Sequence, residues 1–182
     1  MLVTFEGIDG SGKTSVIDAV CKKLTCPYVR TKEPGGTPLG KKIREVVKSD
    51  IAMCPLAEYM LFWTDRAQHI EEIIKPALAE GKLVISDRFY DSTKAYQKSI
   101  PEGLPVFDGV IPHRTFLLDL PVGVAVKRRT GKDRYDDDLD RVRTNYLNLA
   151  KSEPKRWVVL DATRPHADIV KEVIHEIQKR IH

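Results

Sequence analysis

The sequence predicts a three-layer α/β domain, with helices on both sides of a five-stranded parallel sheet. Three observations carry that reading. Short apolar segments alternate with longer helical ones along the chain, the pattern of repeated βαβ units. Several of the short segments are continuously apolar, as strands covered on both faces must be. A glycine-rich turn at residues 7–14 separates the first apolar segment from the first amphipathic one, and such strand-to-helix turns are where doubly wound sheets bind ligands.

The strands are expected at Leu2–Glu6, Tyr28–Thr31, Leu83–Asp87, Thr115–Asp119 and Trp157–Asp161. The first helix places Val16, Ile17, Val20 and Leu24 on one face, and the last does the same with Val170, Val173, Ile174 and Ile177. Between them, Leu56 to Ala79 reads as one long helix that Pro76 bends or ends. Loops are marked by the Pro and Gly residues of 34–38 and 101–105.

A length of 182 residues with 42% hydrophobic content fits one domain, 1–182, around one core. The charged fraction of 31% excludes low-complexity and collagen-like classes. No apolar run approaches the roughly 18 residues that cross a bilayer, and the start reads as a strand rather than a signal peptide. Cys21, Cys26 and Cys54 have neither disulfide-framework nor zinc-site spacing, so the expected location is cytoplasmic. The net charge of +4 suits a protein that handles phosphates, but no dense basic stripe with aromatics marks a nucleic-acid surface.

Gly7-Ile8-Asp9-Gly10-Ser11-Gly12-Lys13-Thr14 has the spacing of a Walker A phosphate loop, and it has the required strand before it and helix after it. Glycines let backbone N–H groups close around phosphate oxygens, and the helix N-terminus adds a favourable dipole. Lys13 can reach the β- and γ-phosphates, and the Thr14 hydroxyl can help hold Mg²⁺. The expected architecture is therefore the α/β/α P-loop NTPase fold. The loop alone does not specify a kinase, because GTPases and motor ATPases share it.

Asp87-Arg88-Phe89 closes the third strand, at the sheet edge beside the phosphate loop. There Asp87 can orient Mg²⁺ through water, and Arg88 can bridge donor and acceptor phosphates. A strand-end ion pair is the plainer alternative.

With these residues in view, the chain resembles the thymidylate kinase family along nearly its full length. The resemblance is carried in order by residues 5–14, by Thr31-Lys32-Glu33-Pro34-Gly35-Gly36-Thr37-Pro38, by Ile43-Arg44, by Phe62 with Asp65-Arg66, and by Asp87-Arg88-Phe89 with Ser92 and Ala95-Tyr96-Gln97. It implies a thymidylate kinase using Mg²⁺-ATP to phosphorylate dTMP. It implies that Asp9 faces the deoxyribose 3′-hydroxyl and the acceptor side, and that Arg44 and Arg88 hold the acceptor phosphate as guanidinium forks. Phe62 would stack on the pyrimidine, with Arg66 one turn later reaching the base O4. Tyr96 would lie below the sugar and disfavour a ribose 2′-hydroxyl. Glu33, Ser92, Thr93 and Gln97 complete the dTMP-binding set. On spacing alone, Phe62 reads first as ordinary helix core, while Arg44 and Arg66 read equally as solvated helix charges and Tyr96 equally as a half-buried helix residue. Lys32 stands where the family usually has Arg, which removes a planar fork from the loop.

The run 127–136, rich in Lys and Arg around Gly131, reads as a small lid at about 129–137. Asp133-Arg134-Tyr135-Asp136 resembles the family's Asp-Arg-Phe-Glu. The phosphate loop has no arginine at its variable positions, so the chain resembles those thymidylate kinases whose lid supplies transition-state charge, which implies Arg129 or Arg134 in that role. The catalytic set is then Lys13, Arg88, Asp87, Asp9, Arg129 and Arg134. The ATP set is residues 7–15, from Gly7 to Ser15, with Arg128, and the metal set is Thr14 and Asp87. Which lid arginine meets adenine and which meets phosphate stays open, as does a solvated charge run.

Alternatives are a kinase of another (deoxy)nucleoside monophosphate, a GTPase-like switch and a nucleic-acid module. No Asn-Lys-x-Asp guanine-reading segment is present. The family often forms dimers through helices near Arg66, and Ile51, Met60, Leu61 and Trp63 can serve that face or the core; a homodimer is expected.

Overall fold

The computed structural model describes residues 1–97, 109–129, 131 and 138–181. The expected loop at 101–105 and most of the expected lid, Arg134 included, lie outside the described residues. Five strands, β1 (Leu2–Glu6), β2 (Tyr28–Lys32), β3 (Leu83–Asp87), β4 (Arg114–Asp119) and β5 (Trp157–Asp161), form one sheet in the order β2-β3-β1-β4-β5. All four pairings are parallel.

Between the strands run α1 (Lys13–Cys21), α2 (Pro38–Val47), α3 (Pro55–His69), α4 (Lys75–Ala79), α5 (Tyr90–Tyr96), α6 (Val122–Arg128) and α7 (Leu139–Ser152), and α8 (His166–Ile181) follows β5. Both faces of the sheet are covered. Val3, Phe5 and Ile85 pack with Val16, Ile17 and Val20 of α1 and with Val173 and Ile177 of α8. Leu2 and Val84, one residue out of phase, pack with Ile70, Ile74 and Ala77 in a second cluster. The two-residue period of a strand thus feeds two separate cores. Burying each large apolar side chain contributes about 2–3 kcal/mol.

The expected long helix is continuous through Pro76, which does not end it. One π turn, Ile70–Ile74, lies just before α4. Proline lacks an N–H and its ring crowds the carbonyl four residues back, so a widened turn ahead of it removes the clash without breaking the helix. α2 starts where local chemistry dictates, with Thr37 Oγ1 accepting from Gly40 N–H at 2.9 Å and Pro38 in the first turn. Leu24 lies beyond α1 but still packs against the core.

β1 is the central strand, and its loop opens at the sheet edge where β3 also ends. Phe5 is registered with Asp87, so residues 82 positions apart meet at one end of the sheet.

Candidate active site

The phosphate loop is a tight turn between β1 and α1. Gly10 has φ +86°, and a Cβ there would sit 2.2 Å from the Ala125 carbonyl oxygen. Only glycine fits so close a backbone approach in that conformation. Lys13 Nζ is buried in the loop and donates to the Gly7 and Ile8 carbonyls at 2.9 and 3.0 Å. Burial first, then the nearby Arg88 cation, push its ammonium down to about 8. Ser15 Oγ donates to the Gly12 carbonyl at 2.8 Å, fixing the start of α1.

Thr14 Oγ1 donates to Asp87 Oδ2 at 2.9 Å. A hydroxyl and a carboxylate, both hard oxygens, therefore stand together beside the phosphate loop. That donor set fits Mg²⁺, which takes few protein ligands when phosphates and waters supply the rest.

Arg88 follows Asp87 with φ +72°, the left-handed region that a bulky residue rarely enters. Its N–H donates to the Phe5 carbonyl at 3.0 Å, and Ser86 Oγ donates to its carbonyl at 2.6 Å. The guanidinium is then spread over four acceptors. Nη1 donates to Ser92 Oγ (3.0 Å) and Tyr146 Oη (3.1 Å). Nη2 donates to Asp9 Oδ1 (2.7 Å) and Tyr96 Oη (3.2 Å). Arg88 holds the Asp9 carboxyl well below the usual carboxylate range. Burial pushes the Tyr96 phenol up to about 12, so it meets Arg88 as a neutral acceptor.

Two clefts meet at these residues. The phosphate cleft is lined by Gly10, Gly12, Lys13, Thr14, Ser15 and Asp87, and also by Arg30 and Lys32. The second has aromatic lining from Phe62, Phe89 and Tyr96 and polar lining from Arg66, Ser92, Thr93 and Gln97. Asp9, Glu33, Arg44 and Arg88 line both. All ten residues expected on the dTMP side thus face one cleft. Gln97 is 7% exposed, and its Nε2 has no hydrogen-bond partner among the described residues. A buried donor in that condition is costly unless a ligand supplies an acceptor.

Arg66 is not a solvated helix charge. It is 4% exposed, with Nε donating to Glu33 Oε2 at 2.9 Å and Nη2 to Thr93 Oγ1 at 2.8 Å. His69 Nδ1 donates to the other Glu33 oxygen at 2.8 Å, and its Nε2 meets Thr31 Oγ1 at 2.6 Å. Asp65 Oδ1 accepts from Gly35 N–H at 3.0 Å. Burial, then the Glu33 charge, push Asp65 up to about 6. α3 therefore pins the 33–36 loop with three hydrogen bonds, two at Glu33 and one at Gly35. Arg44 Nη1 donates to the Pro34 carbonyl at 3.1 Å, which aims α2's guanidinium across the same loop.

Sequence reasoning missed Glu6, Asp65, His69 and Tyr146 as site-forming residues. Glu6 and Tyr146 carry a faint signal, a charged or polar group in an otherwise apolar strand or helix stripe. Of the expected lid residues, Arg128 donates from Nη1 to the Ala162 carbonyl at 2.9 Å, and Arg129 caps the end of α6.

Cations and loop N–H groups on one side and an aromatic-walled pocket on the other suit transfer between two bound nucleotides. Similarity to known proteins points the same way. The family model for thymidylate kinase matches residues 5–174. The chain is 40% identical to the thymidylate kinase of Symbiobacterium thermophilum, covering 95% of this chain and 90% of that one. It is 41% identical to the probable thymidylate kinase of Methanoculleus marisnigri, covering 98% and 94%. The crystal structure of thymidylate kinase from Ehrlichia chaffeensis superposes with a TM-score of 0.76 at 33% identity, covering 98% of both chains. With sequence, fold and the two-cleft site in agreement over nearly the whole chain, it belongs to the thymidylate kinase family.

Proposed function

We propose that this protein transfers the γ-phosphoryl group of ATP to dTMP, giving dTDP and ADP. The observation that carries this reading is the junction of the two clefts at Asp9, Arg44 and Arg88. A dTMP phosphate oxygen attacks the γ-phosphorus as the bond to the β,γ-bridging oxygen breaks, and ADP leaves with that electron pair. The attacking oxygen is already anionic, so positioning and charge neutralisation supply the rate rather than a strong general base.

Residues 7–15 and Lys13 in particular hold the donor phosphates. Arg44 and the Nη2 edge of Arg88 hold the acceptor phosphate, and Asp9 orders that edge and faces the sugar. Phe62 stacks on thymine. Arg66, with its direction fixed by Glu33 and Thr93, meets the base O4, while Gln97 offers its amide donor to the base. Tyr96 closes the space a 2′-hydroxyl would need. Thr14 and Asp87 would hold Mg²⁺, which when bound offsets charge on the donor phosphates. Arg129 and Arg134 supply further cations from the lid segment.

Ile51, ahead of α3, and Met60, which shares α3 with Leu61 and Trp63, are 56% and 43% exposed; we assign this face to a homodimer, to be checked by light scattering on the purified protein. The free cysteines suit a cytoplasmic setting. No described helix is long and apolar enough to cross a membrane.

The test is ADP formation from Mg²⁺-ATP with each of nine monophosphates: dTMP, dUMP, dCMP, dAMP, dGMP, UMP, CMP, AMP and GMP. Strong turnover with dTMP, weaker with dUMP and little with ribonucleotides is expected. Equal or better turnover with another base would overturn the acceptor assignment.

A further inference from the structure

Glu6, the last residue of β1, is fully buried, and it points at no ligand cleft. Three donors converge on its two carboxylate oxygens. Phe89 N–H donates to Oε1 at 2.8 Å, while Ser92 Oγ and Tyr146 Oη donate to Oε2 at 2.6 and 2.9 Å. Those two hydroxyls are the pair that accept from Arg88 Nη1.

Ser92 Oγ and Tyr146 Oη also lie 2.8 Å apart; whether each hydrogen reaches Oε2 directly or through the other hydroxyl, lone pairs of both are left facing Arg88. A carboxylate can only accept, so it enforces that polarity. Nη1 is thereby an anchored end, and Nη2, with Asp9 and Tyr96, is the end presented to the acceptor cleft. The Phe89 N–H bond acts on the backbone as well. It clamps the residue directly after the left-handed Arg88, a conformation that persists only where surroundings over-determine it. Tyr146 brings in α7, and Arg141 Nη2 of the same helix donates to the Tyr96 carbonyl at 2.9 Å.

We propose that Glu6 is a positioning residue for phosphoryl transfer: through Ser92 and Tyr146 it orients the Arg88 guanidinium, and through Phe89 N–H it holds the backbone that carries it. This rests on the proposed function, in which Arg88 meets the acceptor phosphate.

Glu6→Gln is the decisive substitution, because it keeps the shape but replaces one acceptor oxygen with an NH₂ donor, set either against both hydroxyls or against Phe89 N–H. Binding of dTMP and of thymidine, which lacks the phosphate, is measured by calorimetry at pH 8. That is above the value of about 7 to which burial, then Asp91, pushes Glu6. The ratio of dTMP to thymidine affinity is expected to fall at least about 5-fold in Glu6→Gln, and kcat about 10- to 100-fold, with KM for ATP little changed. Tyr146→Phe removes one arm and is expected to shift the same ratio by about 2- to 3-fold; it carries the test if Glu6→Gln fails to fold. An unchanged ratio, or equal weakening of both ligands, overturns the proposal. Absence of dTMP binding and turnover in the wild type would instead overturn the proposed function.

Discussion

Arg66 and Glu33 form a buried ion pair, Nε to Oε2 at 2.9 Å, with side chains 5% and 4% exposed. The pair joins α3 to the loop after β2 across 33 residues of sequence. It sets the direction of a guanidinium that would read the base, and it leaves each partner dependent on the other.

Arg66→Met should therefore destabilise the fold by about 3 kcal/mol, because the Glu33 charge stays buried without its guanidinium. Adding Glu33→Gln should recover more than half of that loss, while the KM for dTMP stays raised. Urea unfolding of the two variants decides it: a double variant no more stable than the single one would contradict the pairing.

Gly10→Ala places a Cβ 2.2 Å from the Ala125 carbonyl at a φ of +86°. Both the contact and the backbone angle oppose it, so a loss of about 2–3 kcal/mol and at least tenfold weaker ATP binding are expected. Thermal unfolding and a nucleotide titration check it. ATP affinity equal to wild type would mean the loop and α6 are not held in contact.

Lys13→Met removes the cation held at the Gly7 and Ile8 carbonyls. A fall in kcat of about 10²- to 10³-fold is expected. The unfolding midpoint should move little, since losing those hydrogen bonds is offset by removing a buried charge. A steady-state assay with a circular dichroism melt separates the two effects.

Asp65 titrates at about 6 in the folded chain against an ordinary value near 3.8. A raised folded value means that the folded state binds the proton more tightly. Its stabilising share is complete below about pH 4 and is lost as pH rises through 6. The share is on the order of 2–3 kcal/mol. Asp65→Asn keeps an acceptor for Gly35 N–H but cannot titrate. The stability difference between wild type and variant should change across pH 4–6, with wild type losing ground as pH rises; parallel curves would rule this out.

Much of the fold was legible because strand signals are local. β1, β3 and β5 begin and end where the apolar runs do, β2 runs one residue further to Lys32, and β4 starts one earlier at Arg114. The continuation through Pro76 was not legible, because a π turn is a backbone response to crowding and leaves no periodic mark. The resemblance pointed to the acceptor set, and the structure gathers all ten of those residues around one cleft. Spacing alone had left Arg66 and Phe62 undecided between core, surface and site.

The layered α/β architecture and the phosphate-loop spacing, with Lys13, Thr14 and Asp87 as candidate groups, were readable from residue order alone, since each depends on neighbours within a few residues and on residue type. Packing of the whole chain was needed to show that Glu6 and Tyr146, 140 positions apart, share a hydrogen bond, that His69 braces Glu33, and that Arg88 donates to Ser92, Tyr146, Asp9 and Tyr96. A buried polar side chain takes its role from the partners that replace water around it, and those partners are chosen by how the chain packs rather than by what lies beside the residue in sequence.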